Sequence, residues 1–173
     1  MPTVRLSFTP APAHVRTARL VGVAVARKAG VSADLFDEIR LAVGEACSRA
    51  VALHRRHGLP DLVDVLLEDD GDFTIRVTDR APIDAALGPA LPDLLDPVAL
   101  LDQSPPLTSH NVTPGDAAGA EAASEEAVAV NMRLALLAGL VDEISVRPAD
   151  DGPGTEVRMT WPAASGRNGA GRP

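Results

Sequence analysis

The sequence predicts an α+β fold, a two-layer α/β sandwich in which a mostly antiparallel sheet carries helices on one face. Three observations lead there. Apolar residues recur at helical spacing from about residue 13 to residue 53, and the period then changes to two, with Phe73, Ile75 and Val77 alternating cleanly. The alternating runs come in pairs joined by short Asp/Gly turns, as in hairpins rather than parallel crossovers. A chain of 173 residues, 46% hydrophobic but only 2% aromatic, can fill one ordinary core from Ala, Val and Leu.

Each element follows from local chemistry. Val4, Leu6 and Phe8 alternate with polar residues in "TVRLSF", a first strand closed by Pro10 and Pro12. Residues 13–29 carry Val15, Val21 and Val25 at near-helical spacing, with Gly30 placed to end the helix. Ser32 is the expected N-cap of a second helix, with Asp34 in its first turn. Ile39, Val43, Ala46, Ala50 and Leu53 form its buried stripe, and Gly58 with Pro60 stops it. "LVDVLLE" and "FTIRVT" then flank the acidic turn "DDGD" as an antiparallel hairpin.

From Asp79 to about Ala127 the pattern gives way to Pro, Ala, Gly and Asp, and seven of the 15 prolines fall there. Only "DLLDPVALLD" offers a short helix, so this stretch reads as a lid, an interaction segment or disorder. Ser124 followed by Glu125 and Glu126 starts a third helix, with Val130, Leu134, Leu137 and Val141 on its apolar face. "EISVRP" and "TEVRMTW" close the fold as a hairpin around "ADDGPG". The expectation is one domain over residues 1–161, with an insertion at about 80–127 and a frayed tail at 162–173.

Charge narrows function. With 24 acidic against 16 basic residues the formal charge is −8, which argues against a general nucleic-acid binder and suits a basic protein partner. Cys47 is the single cysteine, so no intramolecular disulfide forms, and its apolar setting points to packing. The N-terminus lacks a signal-peptide core and no run is long enough to span a membrane, so a soluble, cytoplasmic protein is expected. "HRRH", His54 to His57, lacks the Glu and the spacing of a zincin helix and reads as a solvated helix end whose cations complement the dipole.

One stretch raises a sharper question. In "EACSRAVALHRRHG", Glu45 and Arg49 stand four residues apart on one helix face, either as an ion pair or as the remnant of a catalytic site.

The order of elements, "EIRLAVGEACSRAV" at its centre and the ending "LALLAGLVDEISVRPADDGPGTEVRMTW" resemble the Bergerat-fold (GHKL) ATP-binding domains. Within them they look most like the bacterial anti-sigma regulatory factors that are serine-protein kinases. The resemblance spans residues 3 to 161 and implies roles position by position. Glu45 matches the family's glutamate, the general base. Arg49 stands where an asparagine would hold magnesium, and a guanidinium, having only donors, cannot take that role. It either contacts phosphate directly or pairs with Glu45, the expected arrangement, for about 0.2–0.5 kcal/mol. Asp79 matches the aspartate that accepts the adenine amino group, although a strand-ending turn would select it too. Arg80, Ala81 and Pro82 occupy the segment where glycines should follow, and Asn131 and Arg133 replace the paired glycines of the phosphate-binding turn. Arg133 offers a compensating charge. Gly154 and Thr155 match the Gly-Thr turn into the last strand, which a hairpin would also favour.

The resemblance implies an anti-sigma-like transcription regulator that acts by protein binding. It would sequester a sigma factor, with partner switching by an anti-anti-sigma (STAS-type) protein and a degenerate ATP pocket. On that reading the chain leans away from enzyme activity and takes no cofactor. Glu45 is the inherited base; Asp79, Thr155, Arg49 and Arg133 mark the old pocket; no metal ligand remains. ATP and Mg2+ enter only under the alternative, a working serine/threonine protein kinase that phosphorylates an anti-anti-sigma factor. A second alternative is a small-ligand sensor. No direct nucleic-acid or membrane contact is expected, and family members commonly form homodimers.

Overall fold

The computed structural model describes residues 2–82, 137–138 and 141–163. In chain order these form β1 (Thr3–Phe8), α1 (Pro12–Lys28), a 3-10 turn (Ala33–Leu35), α2 (Phe36–Arg56), β2 (Val63–Asp70), β3 (Asp72–Thr78), β4 (Glu143–Pro148) and β5 (Thr155–Pro162). The strands make one sheet in the order β1-β2-β3-β5-β4, every neighbouring pair antiparallel. The α+β class and the helix-covered sheet are as the alternation and the hairpin turns predict.

Register follows from the sequence. Val65 faces Val77, Leu67 faces Ile75, and across the next pair Phe73, Ile75 and Val77 face Trp161, Met159 and Val157. All of these are buried on the helix side. A slip of one residue would turn each of them outward, so the core holds the pairing in place. The opposite side of the sheet is charged: Arg76 pairs with Glu68 at 2.6 Å and Arg147 with Glu156 at 2.9 Å. Being partly open to water, such pairs contribute little stability each.

Helices α1 and α2 lie against each other, and α2 lies across β2 and β3. Close approach depends on small residues. A methyl group added at Gly22 of α1 would stand 3.1 Å from Val43 Cγ2 of α2. Gly30, at φ 80°, ends the helical run after Lys28. At the start of α2, Glu38 accepts a 2.8 Å hydrogen bond from Trp161 Nε1, tying the helix to the far end of β5.

Several expectations need correction. Ser32 makes no side-chain cap; it precedes a 3-10 turn, and α2 begins at Phe36 with Asp37 and Glu38 in its first turn. Leu53 is only half-buried, whereas His54 beside it is fully buried. β1 is an edge strand, so Val4 stays exposed despite its alternation. The tail does not fray at Pro162, which belongs to β5, and Ala163 forms a bridge with Val31. Of the third helix, Leu137 and Ala138 are described, both helical, and Leu137 is fully buried. The lid or insertion from residue 83 onward and the tail beyond 163 lie outside the described residues. No helix among the described residues is long and apolar enough to cross a membrane.

Two measurements test this packing. Glu38→Ala strands the buried indole N–H of Trp161, and a loss of about 1–3 kcal/mol is expected in urea unfolding followed by Trp161 fluorescence. Cys47 is the second probe, its thiol pushed by burial from 9.0 up to about 12 against the opposing influence of Arg19. The unfolded thiol ionises first, so the folded state binds the extra proton between those values. Stability therefore falls as pH rises from about 9 toward 12, at most by about 1.4 kcal/mol per unit. Cys47→Ala should lose that component, seen as a shallower pH profile of the urea midpoint.

Candidate functional site: a buried Arg-Asp-Thr cluster

Asp79 directly follows β3 and Thr155 opens β5, and because these strands are antiparallel neighbours the two residues meet at one end of the sheet. The ladder continues to them, Asp79 N donating to Thr155 O at 3.0 Å. α2 delivers Arg49 to the same point. Its Nη1 donates to Asp79 Oδ2 at 2.9 Å and to Thr155 Oγ1 at 3.0 Å. The Thr155 hydroxyl passes its own hydrogen to Asp79 Oδ2. On the other carboxylate oxygen, Oδ1 accepts from Ala81 N at 3.0 Å and from Thr155 N at 3.3 Å.

Each oxygen of Asp79 thus accepts two hydrogen bonds. An ionised carboxylate offers about four acceptor positions, and four internal donors take them. The cluster is also dry: the side chains of Arg49 and Asp79 are 5% and 1% exposed. Burial pushes the Arg49 guanidinium below its ordinary range, and the charge and hydrogen bond of Asp79 oppose that shift. Nε of Arg49 has no partner among the described residues.

The sequence predicts that Arg49 pairs with Glu45, one turn away. Instead the guanidinium reaches across to Asp79, 30 residues on, because a buried cation gains more from a buried carboxylate than from a same-helix neighbour. Glu45 is half-buried on α2, one turn before Arg49. Of the candidate site residues the structure brings together Arg49, Asp79 and Thr155; Arg133 and Asn131 lie outside the described residues.

Gly154 has a role beyond that of a turn. With φ at 114°, it lies so close to Asp79 that an added methyl group would stand 1.9 Å from the Asp79 carbonyl oxygen. Only glycine permits that approach.

The "HRRH" end is not wholly solvated. His54 is fully buried, and its Nε2 lies 2.8 Å from the backbone nitrogen of Arg80. A backbone N–H can only donate, so Nε2 carries no proton, and Nδ1 donates to the Asp61 carbonyl at 3.1 Å. The signal was present in the sequence, since residue 54 follows Ala46 and Ala50 at intervals of four on the buried face. Arg49 and His54 together fasten the second half of α2 to Asp79 and Arg80.

The helix bearing Glu45 and Arg49, the strand ending in Asp79 and the Gly-Thr entry to β5 converge at one place, in an element order that a family model also recognises. A model described as a histidine kinase-like ATPase domain matches residues 8–161. The chain belongs to this family. No curated protein matches it. In this histidine kinase-like ATPase domain no group of three or more His, Cys, Asp or Glu side chains that could hold a metal ion occurs among the described residues.

Removing one partner of the buried pair leaves an uncompensated charge. Arg49→Met and Asp79→Asn are each expected to lower stability by about 3–5 kcal/mol. The double variant should lose clearly less than the sum, which a double-mutant cycle in urea would measure. Strict additivity would mean that the two groups are not coupled.

Proposed function

We propose that this histidine kinase-like ATPase domain is an anti-sigma-type regulator that works by binding protein, its nucleotide pocket filled by its own arginine. One observation carries the reading: every acceptor position of Asp79 is taken by Arg49, Thr155 or Ala81. An adenine amino group would need one of those positions.

The rest of the cluster points the same way. Arg49 puts a fixed positive charge where the family's asparagine would offer an oxygen to magnesium, and a guanidinium has no lone pair to give. The Ala81 amide is turned back onto Asp79, and Pro82, which follows it, has no amide hydrogen. These residues do not fit MgATP.

Protein binding asks less of this site. Sequestration of a sigma factor, and its exchange with a STAS-type partner, needs only a folded surface, and the net charge of −8 suits a basic partner. On this reading the Arg49–Asp79 pair keeps the fold rigid where a nucleotide would otherwise have ordered it.

Two experiments decide. Calorimetric titration with MgATP at millimolar concentration should give no binding heat and no thermal shift. Pull-down from the native cell, read by mass spectrometry, should recover a sigma factor. Tight MgATP binding together with Glu45-dependent phosphate transfer to a serine or threonine would overturn the proposal in favour of a working kinase. Recovery of neither a sigma factor nor a STAS-type protein would sink the anti-sigma assignment.

A further inference from the structure

The α1–α2 face away from the Asp79 cluster holds a groove of about 340 Å³. It falls within the size range of small-ligand sites. Arg16 and Arg19 of α1 and Ser48 and Arg55 of α2 line it, with Val15 and Val51 as apolar walls. No acidic residue is among its described lining.

Three arginines converging on one groove are unusual in a chain of net charge −8. Elsewhere Arg5, Arg40, Arg49, Arg76, Arg80 and Arg147 each have a carboxylate partner, and Arg27, Arg56 and Arg158, which have none among the described residues, do not line this groove. Among the described residues Arg16, Arg19 and Arg55 make no such pair. Their charges are left facing the groove.

Arg19 is the decisive member. Its Nε is buried and has no hydrogen-bond partner among the described residues. It is held inward by a feature of the opposite helix: a methyl group at Gly44 would stand 2.1 Å from that Nε and 2.7 Å from both Cζ and Nη2. Gly44 therefore makes room for a guanidinium laid flat against α2. A buried donor without an acceptor is unfavourable unless something supplies one. A planar guanidinium edge matches two oxygens of one oxyanion, and Arg16, Arg55 and the Ser48 hydroxyl can add donors around it.

We propose that this groove is a binding site for a small phosphorylated molecule, its phosphate held by Arg19 with Arg16, Arg55 and Ser48. Arg19 is half-buried and lines the groove, so the rest of its guanidinium, rather than the covered Nε, is what a compact anion there can meet. The valine walls keep water away from one side and strengthen the charge-assisted bonds. None of the lining residues belongs to the Arg49–Asp79–Thr155 cluster, so the site stands or falls independently of the nucleotide pocket.

Pyrophosphate serves as the probe, titrated into the full chain by calorimetry with stability followed in parallel. One-site binding with a sub-millimolar dissociation constant is expected, weakening as salt rises. Arg19→Gln should reduce affinity at least about tenfold, and Arg55→Gln by less. Gly44→Ala, which displaces the guanidinium, should reproduce the Arg19 loss. Arg158→Gln, an exposed arginine on β5 outside the groove, should leave binding unchanged. The proposal is overturned if pyrophosphate does not bind or if binding survives Arg19→Gln. Equal weakening by Arg158→Gln would also overturn it, reducing the effect to diffuse charge. So would an oligoglutamate peptide that binds through Arg19 where pyrophosphate fails, since the ligand would then be protein.

Discussion

A guanidinium does not shed its charge in a folded protein, so an arginine buried as completely as Arg49 is stabilised by a carboxylate beside it. Arg49 meets that demand through Asp79, and much of the molecule is arranged around the encounter. Thr155 bridges the two, its hydroxyl accepting from one and donating to the other. Gly154 clears the space for the Asp79 backbone. One helical turn later His54 holds the amide of Arg80. At the opposite end Glu38 takes the indole of Trp161. The 21-residue α2 is thereby fastened to the sheet at both ends by polar contacts, while its apolar stripe fills the space between.

The two faces of the fold treat charge differently. On the open side of the sheet, arginines find carboxylates on neighbouring strands, Arg76 lying between Glu68 and Glu156. On the helical side the cations of the α1–α2 groove stand without counterparts among the described residues. A molecule that is acidic overall therefore gathers three arginines where α1 and α2 meet, and attraction of anions would be directed there.

How legible this was from sequence depends on the range of the interaction. Strand alternation and helical stripes are local patterns, so Phe73–Ile75–Val77 and Ile39–Val43–Ala46–Ala50 stand on the faces their spacing predicts. Arg49, Asp79 and Thr155 were each marked by motif position, but their union was not readable. The i,i+4 rule sees only neighbours on one helix, and Arg49 reaches a hydroxyl 106 positions away. His54 was obscured by its exposed neighbours Arg55, Arg56 and His57. Ser32 illustrates the converse: a good capping residue goes unused because the chain enters α2 through a 3-10 turn. Gly154 looked like hairpin chemistry, since the proximity of Asp79 exists only after folding.

The Arg49–Asp79 pair also bears on the history of such a domain. Two groups that satisfy each other inside a low-dielectric core cannot be exchanged one at a time without passing through a form with a stranded charge, and whole domains are stable by only about 5–15 kcal/mol. Mutual satisfaction then works as a ratchet. Sequence drift can decorate the surface around the pair, yet a lineage that has acquired it leaves only by a concerted change of both residues.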